Sequence, residues 1–260
     1  MMKVFLLFVE GKTDKISLEL MLNTIAKNNN IRTHFIVYGT DITQKENIDV
    51  NNILKELNMA VYAGFYELKK KYKISLDDIT KIYHIVDSDG VYIPADCVLH
   101  KDSDLFPTKS KIEYTSSCIY TSTENYIKKR NDRKSSILNK LHTKKEITVS
   151  DNNVSRSIPY SIFYMSTNME HVLHNIQNPT KEQKDDLADK WEFDVADNIK
   201  KINEFFDDKN NYIATGNYID TWVKLKSGLN SLSRLTNFKL LINEMLTIAK
   251  DDENDEEGAI

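Results

Sequence analysis

Cysteine is almost absent: the chain of 260 residues has two, Cys97 and Cys118, and no CxxC pair. A disulfide framework and a cysteine-based zinc site are thereby set aside, and reduced thiols in a cytoplasmic protein fit best. Long apolar runs are missing as well. No segment approaches the ~20 apolar residues that span a bilayer. The run at residues 4–9 stops at Glu10 and is shorter than the apolar region of a secretion signal, so it reads as a buried strand. Nor is there an excess of positive charge: 35 Lys and Arg stand against 39 Asp and Glu, a net charge of −4. Any anionic partner must therefore meet a local basic patch. Gly11-Lys12-Thr13 is only the tail of a P-loop, without the earlier glycine, so no ATPase motif is present. No internal repeat is visible.

What remains is a chain with 40% hydrophobic residues, enough for a substantial core. Its length suits one large domain, or a domain with an appendage, at ~100–200 residues each. Residues 3–9 are continuously apolar after Lys3, the pattern of a strand covered on both faces. Glu10-Gly11-Lys12 makes a turn, and Thr13 is a candidate cap for a helix to about Lys27 with Ile16, Leu20 and Ile25 facing the core. Residues 33–38 form a second strand. Ile53, Leu57, Val61, Phe65, Leu68 and Tyr72 recur at helical spacing. Residues 82–86 form a third strand that stops at Asp87-Ser88-Asp89-Gly90. This alternation predicts an α/β fold with a parallel sheet and crossover helices, in which ligands bind at the carboxyl ends of the strands.

Residues 91–158 read as an insertion with a basic helix at about 122–141. A fourth strand, 160–164, leads to Ser166 or Thr167 as the cap of another helix. Beyond Pro179 the pattern is helical, with amphipathic stretches at 181–206 and 228–249. Six acids in seven positions at 251–257 predict a disordered tail. The expected organisation is a catalytic domain at 1–178, a helical extension at 179–250 and an acidic tail at 251–260.

Glu10 and the Asp87/Asp89 pair fall at the ends of two strands. The spacing of the pair turns both side chains to one side of an extended segment. Asp14, in the first helical turn, can reach the same space. Bunched carboxylates repel unless a cation neutralises them, and a hard ion such as Mg²⁺ or Mn²⁺ takes oxygen ligands. Each signal has a plainer explanation. Asp-Ser-Asp-Gly is turn chemistry, and Asp14 and Glu170 suit helix N-termini. His171 and His174, three apart, are read as surface or interface residues rather than zinc ligands, and His84 as a packed histidine. The basic stretch from Lys128 through Arg133 and Lys134 to Lys145 is either a phosphate grip or a solvated helix face.

Phe8-Val9-Glu10-Gly11-Lys12-Thr13-Asp14 and Ile85-Val86-Asp87-Ser88-Asp89-Gly90, each following a strand, resemble the Toprim fold, the metal-binding catalytic domain of topoisomerases, primases and OLD- and RloB-type nucleases. The first segment is most similar to the OLD- and RloB-like branch, found in phage-defence systems. Tyr164-Met165-Ser166-Thr167-Asn168-Met169-Glu170 loosely resembles that branch's later Ser/Asn/Glu segment. The topoisomerase tyrosine and the primase zinc module have no counterpart. The resemblance implies a Toprim-like core with a helical insertion and a helical C-terminal extension. It implies Glu10, Asp14, Asp87 and Asp89 as metal ligands, and Glu10, Asp87, Asp89, Glu170 and Lys226 (or Lys224) as catalytic residues. It also implies a Mg²⁺- or Mn²⁺-dependent nuclease of DNA or of tRNA or other RNA, in bacterial anti-phage defence, with a separate ATPase partner. Homo-oligomers remain open. The alternatives are an accessory subunit with a degenerate site, acting by protein–protein contact, and a nucleotidyl transferase of the primase kind.

Overall fold

A computed structural model of the chain describes residues 3–27, 29, 31–37, 41–44, 48–106, 111–151 and 154–257. Its centre is a five-stranded sheet in the order β2-β1-β3-β8-β7. These strands are β1 (Lys3–Val9), β2 (Ile31–Val37), β3 (Ile79–Asp87), β7 (Glu146–Asp151) and β8 (Val154–Met165). β2, β1, β3 and β8 run parallel, and β7 returns antiparallel along β8. The sheet is therefore mixed. Alternate residues of β1 feed two cores: Val4, Leu6 and Phe8 face one layer, and Phe5, Leu7 and Val9 the other. The first layer holds α2 (Ile53–Tyr72) and the end of α3 (Glu124–Leu141); the second holds α1 (Lys12–Lys27) and α5 (Lys181–Val195). Burial on both faces is why β1 reads as an unbroken apolar run.

α1 buries Leu18, Met21, Leu22 and Ile25, a spacing of three and four, while Ile16 is exposed. Its apolar stripe is thus rotated from the one expected. The helix starts at Lys12, which puts Thr13 inside the first turn instead of at the cap. β8 is longer than anticipated because it does two jobs. Residues 154–159 pair with β7, and from Tyr160 onward the strand pairs with β3. Pro159 falls at that changeover, where its missing N–H costs the β3 ladder nothing. The insertion is not purely helical. β4 (Val98–His100), β5 (Ile112–Tyr114) and β6 (Ile119–Thr121) form a small second sheet in the order β4-β6-β5. Strands of three residues are too short to show a period.

The C-terminal part is broken more often than its apolar spacing suggests. α5 stops before Asp197, whose φ is 47°, and α6 (Ile199–Phe205) restarts with Asn198 as its cap. α7 (Tyr218–Lys226) and α8 (Phe238–Glu257) are separated by turns at 228–237. Leu229, Leu232 and Leu235 repeat every third residue there, but Gly228 (φ 57°), Asn230, Ser231 and Ser233 supply turn chemistry. α8 is assigned through the acidic stretch to Glu257, and extending an already packed helix avoids a new nucleation cost. Residues 258–260 lie outside the described residues. Among the described residues no helix is long and apolar enough to cross a membrane.

Gly90 ends the turn after β3 with φ at 66°, and a Cβ there would lie 2.5 Å from Leu232 Cδ2. Gly90→Ala is expected to cost about 1–3 kcal/mol, the range for a forced left-handed residue. Urea unfolding checks this: the midpoint falls, and an unchanged midpoint contradicts the close packing of this turn.

Candidate active site

Three adjacent parallel strands, β1, β3 and β8, end on the same edge of the sheet, and the acids gather there. Glu10 follows β1, Asp87 ends β3, and the segment after β8 leads to Glu170 in α4 (Met169–His174). The turns are locked to each other. Ser88 N donates to Met165 O at 2.8 Å, and Asp89 N donates to Thr167 O at 2.9 Å. Asp89 (φ 49°) and Thr167 (φ 57°) both sit in the left-handed region. For a β-branched threonine that is a strained conformation. It is held by Thr167 N, which donates to Ser88 Oγ at 3.1 Å and Ser231 O at 3.2 Å. Asn168, not Ser166 or Thr167, caps α4 by accepting from His171 N at 2.8 Å.

The acids fall into two groups, each facing a lysine. In the first, Lys134 of α3 is fully buried and bridges Asp41, at 2.5 Å, and Asp89. Gln44 Nε2 also donates to Asp89, at 2.6 Å, and Thr43 N to Asp41, at 2.6 Å. Burial pushes the Asp41 carboxyl up, but Lys134 and the Thr43 hydrogen bonds hold it below its ordinary value. Lys134 is held well above its own, because Asp41, Asp89 and Glu10 outweigh its burial. Glu10 gains least from this lysine. Burial first, then Asp41, Asp87 and Asp89, push it well above the usual carboxylate range against the pull of Lys134, and its buried Oε1 has no hydrogen-bond partner.

In the second group, Lys184 of α5 lies 3.0 Å from Glu170, and against its burial Glu170, then Asp87 and Asp14, hold its ammonium above the ordinary lysine value. Asp14 Oδ2 accepts from Gly11 N at 2.8 Å, the contact of a helix-start acid. Burial, then Asp14 and Glu170, push Asp87 well above the carboxylate range. Glu170 Oε2 is buried and unpartnered. A pocket of about 180 Å³ opens over this group, lined by Asp87, Asp89, Tyr114, Asn168 and Lys184 among others.

Glu10, Asp14, Asp87, Asp89 and Glu170 thus share one electrostatic neighbourhood. Lys226 stands elsewhere, with Nζ 3.2 Å from His142 Nε2 and over the Trp222 ring; Lys224 lies two residues before it in α7. Sequence reasoning missed Asp41 and Lys184, and named Lys134 only within the basic stretch. It also left the basic stretch as either a phosphate grip or a solvated face. Much of it is neither: Arg130 donates to Asp89 O at 3.0 Å, Arg133 to Gln44 O, and Lys140 to Val50 O at 2.8 Å. His84 is buried, bonded to the Tyr160 hydroxyl at 2.8 Å, and burial brings it down to about 3.

Among the described residues no three His, Cys, Asp or Glu side chains form a ready-made metal cage. The donors gathered here are carboxylate oxygens, the ligand type that a hard divalent cation takes. Six carboxylates face Lys134, Lys184 and Arg130, and two carboxylate oxygens are buried without partners.

The raised carboxyl of Glu10 has a consequence for stability. Its native pKa exceeds the unfolded one, so stability is greatest below the unfolded value and is lost as pH rises from there through the native value. In metal-free buffer Glu10→Gln should therefore be more stable than the parent at pH 8. The gain should shrink toward pH 5. Urea unfolding at both pH values measures it, and a pH-independent difference contradicts the crowding. Compared with known proteins, the chain matches no family model, no curated protein and no solved structure.

Proposed function

We propose that this chain is a divalent-metal-dependent nuclease, hydrolysing phosphodiester bonds in DNA or RNA. The observation that supports it is the convergence of Glu10, Asp87 and Glu170 from the ends of three neighbouring strands, with buried carboxylate oxygens left unpartnered. Glu10, Asp87 and Asp89 are the residues that would hold Mg²⁺ or Mn²⁺, with Asp14 behind them. The ion, when bound, polarises the phosphate and lowers the pKa of a water. Lys134 keeps Asp41 and Asp89 oriented from inside the fold. Lys184, on the wall of the open pocket, offers an ammonium to a phosphate oxygen as negative charge builds. Glu170 fixes Lys184 in place. The role in bacterial anti-phage defence, with an ATPase supplied by another protein, rests on the resemblance of residues 8–14 and 85–90 to OLD- and RloB-like nucleases.

A second reading has an observation in its favour. Lys134 and Lys184 already sit among the carboxylates, and lysines in those places can satisfy the acids with no metal. The chain would then be an accessory subunit that works by protein contact.

Incubation of the purified protein with DNA and with tRNA, in Mg²⁺ and in Mn²⁺, separates the two. The nuclease reading expects metal-dependent cleavage, reduced about 100-fold or more in Glu10→Ala and Asp87→Ala, the scale of losing one charge-stabilising group. Circular dichroism should show both variants folded. Cleavage that survives both substitutions, or none on either substrate, rejects it.

A further inference from the structure

A cavity of about 670 Å³ opens at the other end of the central sheet. Lys81, on its wall, precedes Asp87 by six residues of β3, about 20 Å along an extended strand. The cavity is therefore separate from the acidic cluster, and its chemistry is independent of the nuclease reading.

It exists because β8 loses its outer neighbour there. β7 begins at Glu146, opposite Pro159, so from Tyr160 onward that edge of β8 has no strand beside it. Tyr218 of α7 fills the gap. Its hydroxyl accepts from Ile162 N at 3.3 Å and donates to Ile162 O at 2.8 Å. On the same edge Tyr160 N donates to Lys145 O at 2.7 Å and Tyr164 N to Asn237 Oδ1 at 2.9 Å, so the edge is satisfied without a sixth strand and open space is left between α7, α8 and the segment that enters β7.

The walls combine two chemistries. Phe163 and Tyr218 meet edge to face, with centroids 5.7 Å apart, and Ile219 adds an apolar wall that is 67% exposed. Water gains nothing from that surface. Lys81, Lys144 and Lys145 bring positive charge against a single acid, Glu244. Lys81 is ion-paired with Glu244, whereas neither Lys144 nor Lys145 has an ion-pair partner among the described residues. The volume lies in the range of small-molecule sites, about 300–1,000 Å³.

We infer that this cavity is a binding site for a small aromatic anion, whose ring lies against Phe163, Tyr218 and Ile219 and whose acidic group meets Lys144 and Lys145. A purely apolar ligand leaves the two ammoniums unused, and a bare inorganic anion leaves the apolar wall in water. A ligand carrying both features satisfies both.

The test uses the full chain with anilinonaphthalene sulfonate, an aromatic ring system bearing one negative group, and its uncharged analogue phenylnaphthylamine. Fluorescence titration of the sulfonate should show one saturable site per chain. Two changes on exposed or half-buried positions leave the core intact. Lys144→Glu with Lys145→Glu should weaken sulfonate binding at least tenfold and leave the uncharged analogue unchanged. Ile219→Asp should weaken both probes. No saturable binding overturns the proposal. So does binding that neither variant alters, which places the dye elsewhere. A response to the charge change alone also overturns it, because the site is then only a basic surface.

Discussion

A single ammonium, that of Lys134, sits fully buried between the carboxylates of Asp41 and Asp89, and the arrangement of the acidic edge depends on it. Asp89 lies just past the end of β3, Asp41 beyond β2, and the lysine comes from a helix of the insertion. Like charges brought together at strand ends repel strongly in a low-dielectric interior, and one buried cation between two of them reverses the sign of the interaction. Breaking a buried pair by removing one partner costs about 3–5 kcal/mol, because the remaining charge is left uncompensated. The insertion is thus part of the site's construction. α3 adds Arg130 on the Asp89 carbonyl and Arg133 on Gln44 O, so its basic face closes over the strand ends from one side.

The second lysine works differently. Lys184 is held by Glu170 on the pocket wall, where solvent and a ligand can reach it. One half of the site is closed around a buried lysine and the other opens to a pocket. The acids that neither lysine fully compensates, Glu10 and Asp87, carry the strongest upward push on their carboxyls. Backbone strain falls in the same place. Asp89 and Thr167, both left-handed, are hydrogen-bonded to each other across the ends of β3 and β8. Strained residues of this kind persist where the surrounding structure over-determines them, often at functional sites.

The α/β class and the strand-end acids were legible because both follow from local pattern. Continuous apolar runs marked β1 and β3, and the acids that stop them, Glu10 and Asp87, had to emerge at the strand ends. Asp41 was not legible, since no regular element marks its position. Lys134 and Lys184 were hidden for a different reason. Both lie in helices full of lysine, and which one turns inward is decided by packing partners distant in the chain, such as Asp89 for Lys134. Lys226 looked equivalent on sequence, but α7 points it toward His142 and Trp222. At 228–237 a spacing of three satisfied a helical template while serine, asparagine and glycine built turns. The resemblance to the Toprim fold extends only over short motifs, and the antiparallel β7 and the small second sheet lie outside them.

Whether these carboxylates close on a divalent ion is tested most directly by anomalous diffraction from crystals grown in Mn²⁺. The expected result is a peak between the carboxyl groups of Glu10 and Asp87, with Asp89 turned toward it. A crystal with no such peak at millimolar Mn²⁺ would contradict the metal-dependent reading.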